Sequence, residues 1–303
     1  MKIAILSNGP GNYSTRRLKD EAEKRGHEVD IIKYRDCYAS IEPDNPNVNY
    51  GDQILTGYDA IIPRIAGYMT NYGSAIVRQF EMQHVYTPTS SIAIARSRDK
   101  LRSMQLLSKA GVGIPKTVFS RNTTDIDELL AQLGGTPVII KLARGTHGNG
   151  VVLAETKKAA KSTLQAFYLS NHDGTNILLQ EYIEESAGTD IRAFVVGGRV
   201  VASMKRQSLD DDFRSNIHQG GEGVLVKLTE IERKTAIRAA KAMGLPICGV
   251  DIMRSNKGPL VLEVNSSTGF AIEKYTKRNV AAAVIEYIEA NARRGRRKDK
   301  VGA

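Results

Sequence analysis

The feature that most constrains the fold is an alternation of short apolar runs with amphipathic stretches through the first hundred residues. Ile3 to Ser7 reads as a buried strand, Ser14 to Arg25 as a helix stopped at Gly26, and Val29 to Tyr34 as the next strand. Asp59 to Ile65 and a helix over Tyr72 to Gln83 continue the pattern, with Asp44, Asn45, Pro46 and Asn47 as intervening loop. Strands that alternate with helices need crossover connections. A parallel sheet is therefore expected over residues 1–95.

A helix from Ile92 to Lys109, closed by Gly111, leads into a second region, 96–176. It reads as strand Lys116 to Ser120, helix Ile126 to Leu133, strand Val138 to Leu142, a glycine-rich loop, strand Val151 to Ala154 and helix Lys158 to Leu169. The third region, 177–292, is hairpin-rich, with strands at Ile177 to Ile183, Ile191 to Val196, Arg199 to Lys205, Val224 to Lys227, Gly249 to Arg254 and Leu260 to Asn265. Helices at Glu230 to Met243 and Asn279 to Ala292 are expected to cover one of its faces. Runs of antiparallel strands beside few helices make this an α+β module after the α/β start.

Charge narrows the partners. The 303 residues carry a net +10, but residues 291–303 hold Arg293, Arg294, Arg296, Arg297, Lys298 and Lys300 against Asp299 alone, so half the excess sits in a basic tail, 293–303. The body is only mildly basic, which gives no ground for specific nucleic-acid binding. No apolar run approaches the ~18 residues of a membrane span, and the first residues are too short a run for a signal peptide; a cytoplasmic protein is expected. Cys37 and Cys248 have no metal-site spacing and read as inert buried thiols.

The strongest chemical constellation is Asp251, Glu263 and Asn265. A three-residue loop of Asn256, Lys257 and left-handed Gly258 would pair Ser255 with Pro259 and set Asp251 opposite Glu263, with Asn265 on the same face. Two carboxylates and an amide oxygen suit Mg²⁺, which keeps coordination positions for water and phosphates. A solvated acidic strand face is the bland alternative, and the apolar residues between them, Ile252, Met253, Val261, Leu262 and Val264, weigh against it. The loop Gly145-Thr146-His147-Gly148-Asn149-Gly150 offers backbone N–H groups to phosphate oxygens, and Lys141 ends the apolar strand before it. No Walker Lys-Ser/Thr follows, so a P-loop is excluded. The segment Asp212 to His218 carries Arg, Asn and His donors suited to a triphosphate. Gly9-Pro10-Gly11 after the first strand resembles the start of a dinucleotide fingerprint, but Ser14 replaces the third glycine, and a lone partial match reads as a plain strand-to-helix turn, not a nicotinamide site. No zinc spacing and no nucleophile elbow is present.

In order along the chain these pieces resemble the ATP-grasp ligases, and within them the RimK family of glutamate ligases. The resemblance runs through Met1 to Ser7, Ile62-Pro63-Arg64-Ile65, Arg78 to Met82, Ala95 to Lys100, Gln180-Glu181-Tyr182-Ile183, Asp212 to His218 and Leu262 to Asn265. It implies an ATP-grasp fold with an N-terminal Rossmann-like, pre-ATP-grasp domain. It implies that Lys100 and Lys141 hold the α and β phosphates of ATP under a lid containing Gly145, Gly148 and Gly150. By the same resemblance Glu181 and Tyr182 read adenine through their backbone, and Asp190 takes the ribose hydroxyls. Arg214, Ser215 and Asn216 face the triphosphate, with Arg214 as the transition-state cation, and Asp251, Glu263 and Asn265 bind Mg²⁺. Two ions are implied, with Mn²⁺ as a substitute. One departure stands at Ser266-Ser267-Thr268-Gly269, where family members carry Pro at the Thr268 position.

The implied reaction phosphorylates an acceptor carboxylate with ATP, and L-glutamate then displaces phosphate from the acylphosphate. The acceptor is expected to be the acidic C-terminal tail of a small-ribosomal-subunit protein, and the enzyme a homo-tetramer. Competing readings are a ligase for an amino-acid carrier protein, for free poly-glutamate or for a small γ-glutamyl product, and a ribosome- or RNA-binding protein that uses the basic tail.

Overall fold

The computed structural model describes residues 1–121, 125–142, 150–169, 177–208 and 222–292. The chain opens with β1 (Lys2–Leu6), α1 (Tyr13–Lys24), β2 (Glu28–Ile32), β3 (Cys37–Glu42), β4 (Asn45–Tyr50), β5 (Gln53–Ile54), β6 (Ala60–Pro63) and α2 (Thr70–Met82). Strands β2, β1 and β6 form the expected parallel sheet, with β1 in the middle. The stretch expected as loop at Asp44 to Asn47 is a correction. Only Asp44 turns, with φ +58, and Asn45 to Asn47 begin β4, which pairs antiparallel with β3 and β5 in a small sheet of its own. Asn and Pro are depleted in strands, so local propensity hid a hairpin that packs Val48 into the core below.

The single helix expected from Ile92 to Lys109 is two, α3 (Ser91–Arg98) and α4 (Lys100–Lys109). Asp99 breaks it: its backbone is extended, and its side chain accepts from the Arg102 N–H as an N-cap. The break places Lys100 at the first turn of a new helix. Then follow β7 (Thr117–Ser120), α5 (Ile126–Leu133), β8 (Val138–Leu142), β9 (Val151–Ala154), α6 (Lys157–Leu169) and β10 (Ile177–Glu181). These strands make an antiparallel sheet in the order β7-β10-β8-β9. Strand β10, read with the third region, is thus a middle strand of the second sheet.

The last sheet, β13-β12-β11-β14-β15, is antiparallel throughout. It is built from β11 (Thr189–Val196), β12 (Arg199–Gln207), β13 (Glu222–Leu225), β14 (Ile247–Ser255) and β15 (Gly258–Asn265), with helices α7 (Glu230–Met243), α8 (Ile272–Thr276) and α9 (Val280–Ala292). Helices α7 and α9 lie on opposite faces of it, not on one. Ile191, Ala193 and Val195 of β11 pack with Ala236, Ala239 and Met243 of α7 and with Leu107 of α4, whereas Phe194 and Val196 pack with Val284, Ile285 and Ile288 of α9. A strand apolar at successive positions is buried on both sides. The α9 face also meets Ile3, Ile5 and Leu18 of the N-terminal sheet and helix, so one continuous core joins the first region to the last. Cys37 and Cys248 are buried free thiols, and burial pushes both well above their ordinary range.

Candidate active site

The β14–β15 hairpin turns through two residues, Asn256 and Lys257, because Ser255 pairs with Gly258 and not with Pro259. Gly258 does take the positive φ expected of it, at +98°. A tighter turn would shift the register and move Asp251 away from Glu263. A bulge restores it: Ile252 pairs with Val261, Leu262 is the extra residue, and Asp251 pairs with Glu263. Gly249 faces Asn265 two residues further on. The Asn265 amide donates to Glu263 Oε1 at 2.8 Å and lies 3.4 Å from Asp251 Oδ2. The three residues read as metal ligands do converge.

Beneath them lies a set of buried charges that the sequence reading missed. Arg192 on β11 pairs in register with Asp251 and grips it through Nε at 2.7 Å and Nη2 at 2.6 Å. Arg206 on β12 sits opposite Asp190, donates to both of its oxygens, and reaches Asp251 Oδ2 at 2.8 Å. Asp190, Arg206 and Asp251 are all nearly inaccessible to solvent. Burial alone would raise the Asp251 carboxyl, but the two guanidiniums outweigh it and hold the group well below the usual carboxylate range. The signal available in the sequence was a pair of arginines in otherwise apolar strands. Glu263, at the solvent-facing edge, goes the other way: desolvation and then the Asp251 charge raise it.

The two lysines approach from the second sheet. Lys141 on β8 donates to Gln180 Oε1 at 2.6 Å, and Gln180 is itself anchored by donating to Thr117 Oγ1 at 2.9 Å. Lys100 donates to the carbonyl of Leu142, the residue after Lys141, at 2.9 Å. Burial lowers both ammonium groups, Lys141 to about 8, and the charge of Glu263 opposes that shift at each. The lysines and the acid pair thus face one another across a cleft between the second and third sheets. Gln180, unassigned by the sequence reading, orients Lys141.

Glu181 ends β10, and Tyr182 follows it. The Glu181 N–H already donates to Lys116 O, and its carboxylate accepts from the Lys116 N–H at 2.8 Å and Lys257 Nζ at 2.7 Å. Gly150 has φ +71, and a Cβ there would meet Leu142 Cδ1 at 2.8 Å, so the backbone entering β9 favours glycine at this position. Gly145, Gly148, Arg214, Ser215, Asn216 and the basic tail lie outside the described residues. Thr268, where a proline was expected from the resemblance, donates to the Asn265 carbonyl at 2.9 Å and so fixes the turn after the last candidate ligand.

The donor set fits a hard divalent ion. Two like-charged carboxylates stand in contact, and turning the Asn265 amide about its last torsion presents Oδ1 to the same point. Asp251, Glu263 and Asn265 are the residues that would hold it.

Three sheets with facing lysines and acids form the ATP-grasp arrangement, and solved structures show the same fold. The ATP-grasp ligase PsnB, complexed with a phosphomimetic variant of its minimal precursor, Mg and ADP, superposes with a TM-score of 0.73 at 19% identity over 96% of this chain and 98% of that one. D-cycloserine synthetase DcsG gives 0.72 at 15% identity over 96% and 100%. Residues 1–94 match the RimK PreATP-grasp domain and residues 97–288 the RimK-like ATP-grasp domain. The chain belongs to the RimK family, and it is an ATP-dependent carboxylate–amine ligase. Its relatives include the probable alpha-L-glutamate ligases of Hydrogenovibrio crunogenus, 56% identical over 294 residues and 97% of each chain, and of Nitrosococcus oceani, 54% identical over 301 residues and 99% of each. Among the described residues no helix is long and apolar enough to cross a membrane.

Proposed function

We propose that this protein adds L-glutamate, through an acylphosphate, to the carboxylate end of an acidic polypeptide, the C-terminal tail of a small-ribosomal-subunit protein. The observation that carries the reading is the cleft in which Lys100 and Lys141 face Asp251, Glu263 and Asn265, in a chain 56% identical over 97% of its length to a probable alpha-L-glutamate ligase. In this reading the lysines bind the α and β phosphates of ATP, and Arg214, Ser215 and Asn216 take the γ end. Mg²⁺, as two ions replaceable by Mn²⁺, would supply charge neutralisation between the phosphates when bound to Asp251, Glu263 and Asn265. Arg192 and Arg206 keep Asp251 ionised and aimed, Gln180 aims Lys141, and a closed lid over the cleft would keep water from the acylphosphate. Tyr182 and the Glu181 carbonyl are left for adenine, since the Glu181 N–H is engaged. Asp190 would reach ribose hydroxyls only by loosening its pair with Arg206.

The domain limits 1–95, 96–176 and 177–292 become, in this proposal, 1–95 for the pre-ATP-grasp part and a division after Glu181 for the two sheets that clasp the nucleotide. The enzyme works as a homo-tetramer. Intact mass spectrometry of candidate acceptor peptides incubated with ATP, Mg²⁺ and each amino acid tests the assignment. Products spaced by one glutamate residue support it, and products with another amino acid, or none on acidic peptides, refute it.

A further inference from the structure

The N-terminal sheet orders its strands β2-β1-β6, so the chain leaves β1 on one side and returns on the other. In open parallel sheets ligands bind at that switch point, beyond the carboxyl ends of the strands. Arg64 stands there, one residue past β6, with its N–H bonded to the carbonyl of Leu6 at the end of β1 at 2.9 Å. Its guanidinium lies 5.4 Å over the Phe270 ring. That ring is buried and doubly fixed: the Phe270 N–H donates to Ser14 Oγ at 2.9 Å, and the ring meets Phe194 edge-on at 5.5 Å.

Arg98 stands beside it. Its Nη2 donates to the Ile65 carbonyl at 2.8 Å, while its Nε is buried without a hydrogen-bond partner. Among the described residues no hydrogen bond or ion pair engages the Arg64 guanidinium. Desolvation, and then the charge of Arg98, pushes Arg64 down to about 10. Glu263 acts electrostatically on Arg98, which joins this pair to the same cleft as the candidate metal ligands. Two adjacent, desolvated guanidiniums without a carboxylate of their own are costly, and such charges are ordinarily paired.

We propose that Arg64, with Arg98 beside it, forms a subsite for a substrate carboxylate, one that is recognised and not phosphorylated. The fixed fork of Arg64 suits bidentate carboxylate binding, and the Phe270 ring beneath holds the fork in plane. The phosphates of ATP are served by Lys100 and Lys141 on the far wall, so this pair is left for the acidic substrate. The proposal rests on the ligase reading above. The carboxylate belongs either to the incoming amino acid or to the acidic acceptor.

The test is steady-state kinetics of Arg64→Gln and Arg64→Lys by ADP release, with L-glutamate and an acidic peptide varied in turn. Direct MgATP binding and thermal denaturation accompany it. Loss of a charge-assisted pair should raise one Michaelis constant by about 10- to 150-fold in Arg64→Gln. Arg64→Lys, which keeps the charge and loses the fork, should raise the same constant less. MgATP affinity should stay within about twofold in both variants, and the melting temperature should not fall in Arg64→Gln, which removes a partly buried charge that no carboxylate pairs. Whichever constant moves identifies the source of the carboxylate. Both constants unchanged, or a loss that only follows weaker MgATP binding or a lower melting temperature in both variants, overturns the proposal. If wild type releases ADP with a different amino acid, the glutamate reading fails, and the same two variants measured with that amino acid still decide the role of Arg64.

Discussion

Asp251 faces Glu263 across the β14–β15 pair because Leu262 is left out of register between them. The two acids differ in what surrounds them. Asp251 is almost wholly buried and held by Arg192 and Arg206, whereas Glu263 reaches the open side of the cleft and is hydrogen-bonded by Asn265.

That difference separates folding from chemistry. Asp251→Ala leaves two buried guanidiniums short of counter-charge and should cost about 3–5 kcal/mol of stability as well as all activity. Glu263→Gln removes a like charge from beside Asp251, so stability should change by less than about 0.5 kcal/mol while ADP release falls about 100-fold or more. Chemical denaturation and an ADP-release assay on both variants check this. Equal destabilisation by the two substitutions would count against the division of labour.

Gly249 sits against the turn after the candidate ligands. A Cβ there would meet Thr268 Oγ1 at 2.5 Å, and that hydroxyl is the one bonded to the Asn265 carbonyl. Gly249→Ala should destabilise by about 1–3 kcal/mol and Thr268→Ala by about 1 kcal/mol. In the double variant the two contacts under 3 Å are gone and only the 3.1 Å approach to the residue-268 Cβ remains, so its loss should be smaller than the sum of the two. A double-mutant cycle by urea denaturation measures the coupling, and strict additivity would show that the close approach has no energetic weight.

Lys141 gives the pH dependence its sign. Its folded value of about 8 lies below the ordinary 10.5, because burial disfavours the charge. Between those two values the unfolded chain holds more protons, so the Lys141 contribution to stability rises with pH across that window and is a penalty below it. Phosphate binding needs the ammonium form. MgATP binding should therefore take up a proton at pH 9 and weaken as pH rises above about 8. Calorimetric titration in buffers of different ionisation enthalpy reads that proton directly. No uptake in wild type, or an uptake that persists in Lys141→Met, would remove Lys141 from the phosphate site.

Much of this was legible from spacing alone. Helices over Ile126 to Leu133 and Glu230 to Met243 and strands over Val138 to Leu142 and Val151 to Ala154 stand where periodicity sets them, because local pattern and burial agree there. The pairing of Asp251 with Glu263 was also reached, although by a longer loop and no bulge, two differences that cancel. What stayed hidden depended on long-range partners. Arg192 and Arg206 look like ordinary strand residues until β11 is known to lie between β12 and β14. Likewise Asn45 to Asn47 become a strand because β3 pairs with them, against their own propensity. Arg64 gains meaning when Phe270, far along the chain, is seen beneath it.

The central claim is that the cleft between the second and third sheets makes an acylphosphate from ATP and an acidic acceptor and passes it to glutamate. Acceptor peptide with one ¹⁸O-labelled carboxylate, incubated with enzyme, MgATP and L-glutamate, tests it most directly. The account predicts that one ¹⁸O atom per acceptor peptide, whose labelled carboxylate carries ¹⁸O at both oxygens, appears in the phosphate released with the first glutamate. Later additions release unlabelled phosphate, because their acceptor carboxylate comes from unlabelled L-glutamate. Released phosphate free of label, with glutamate still joined to the peptide, would contradict it.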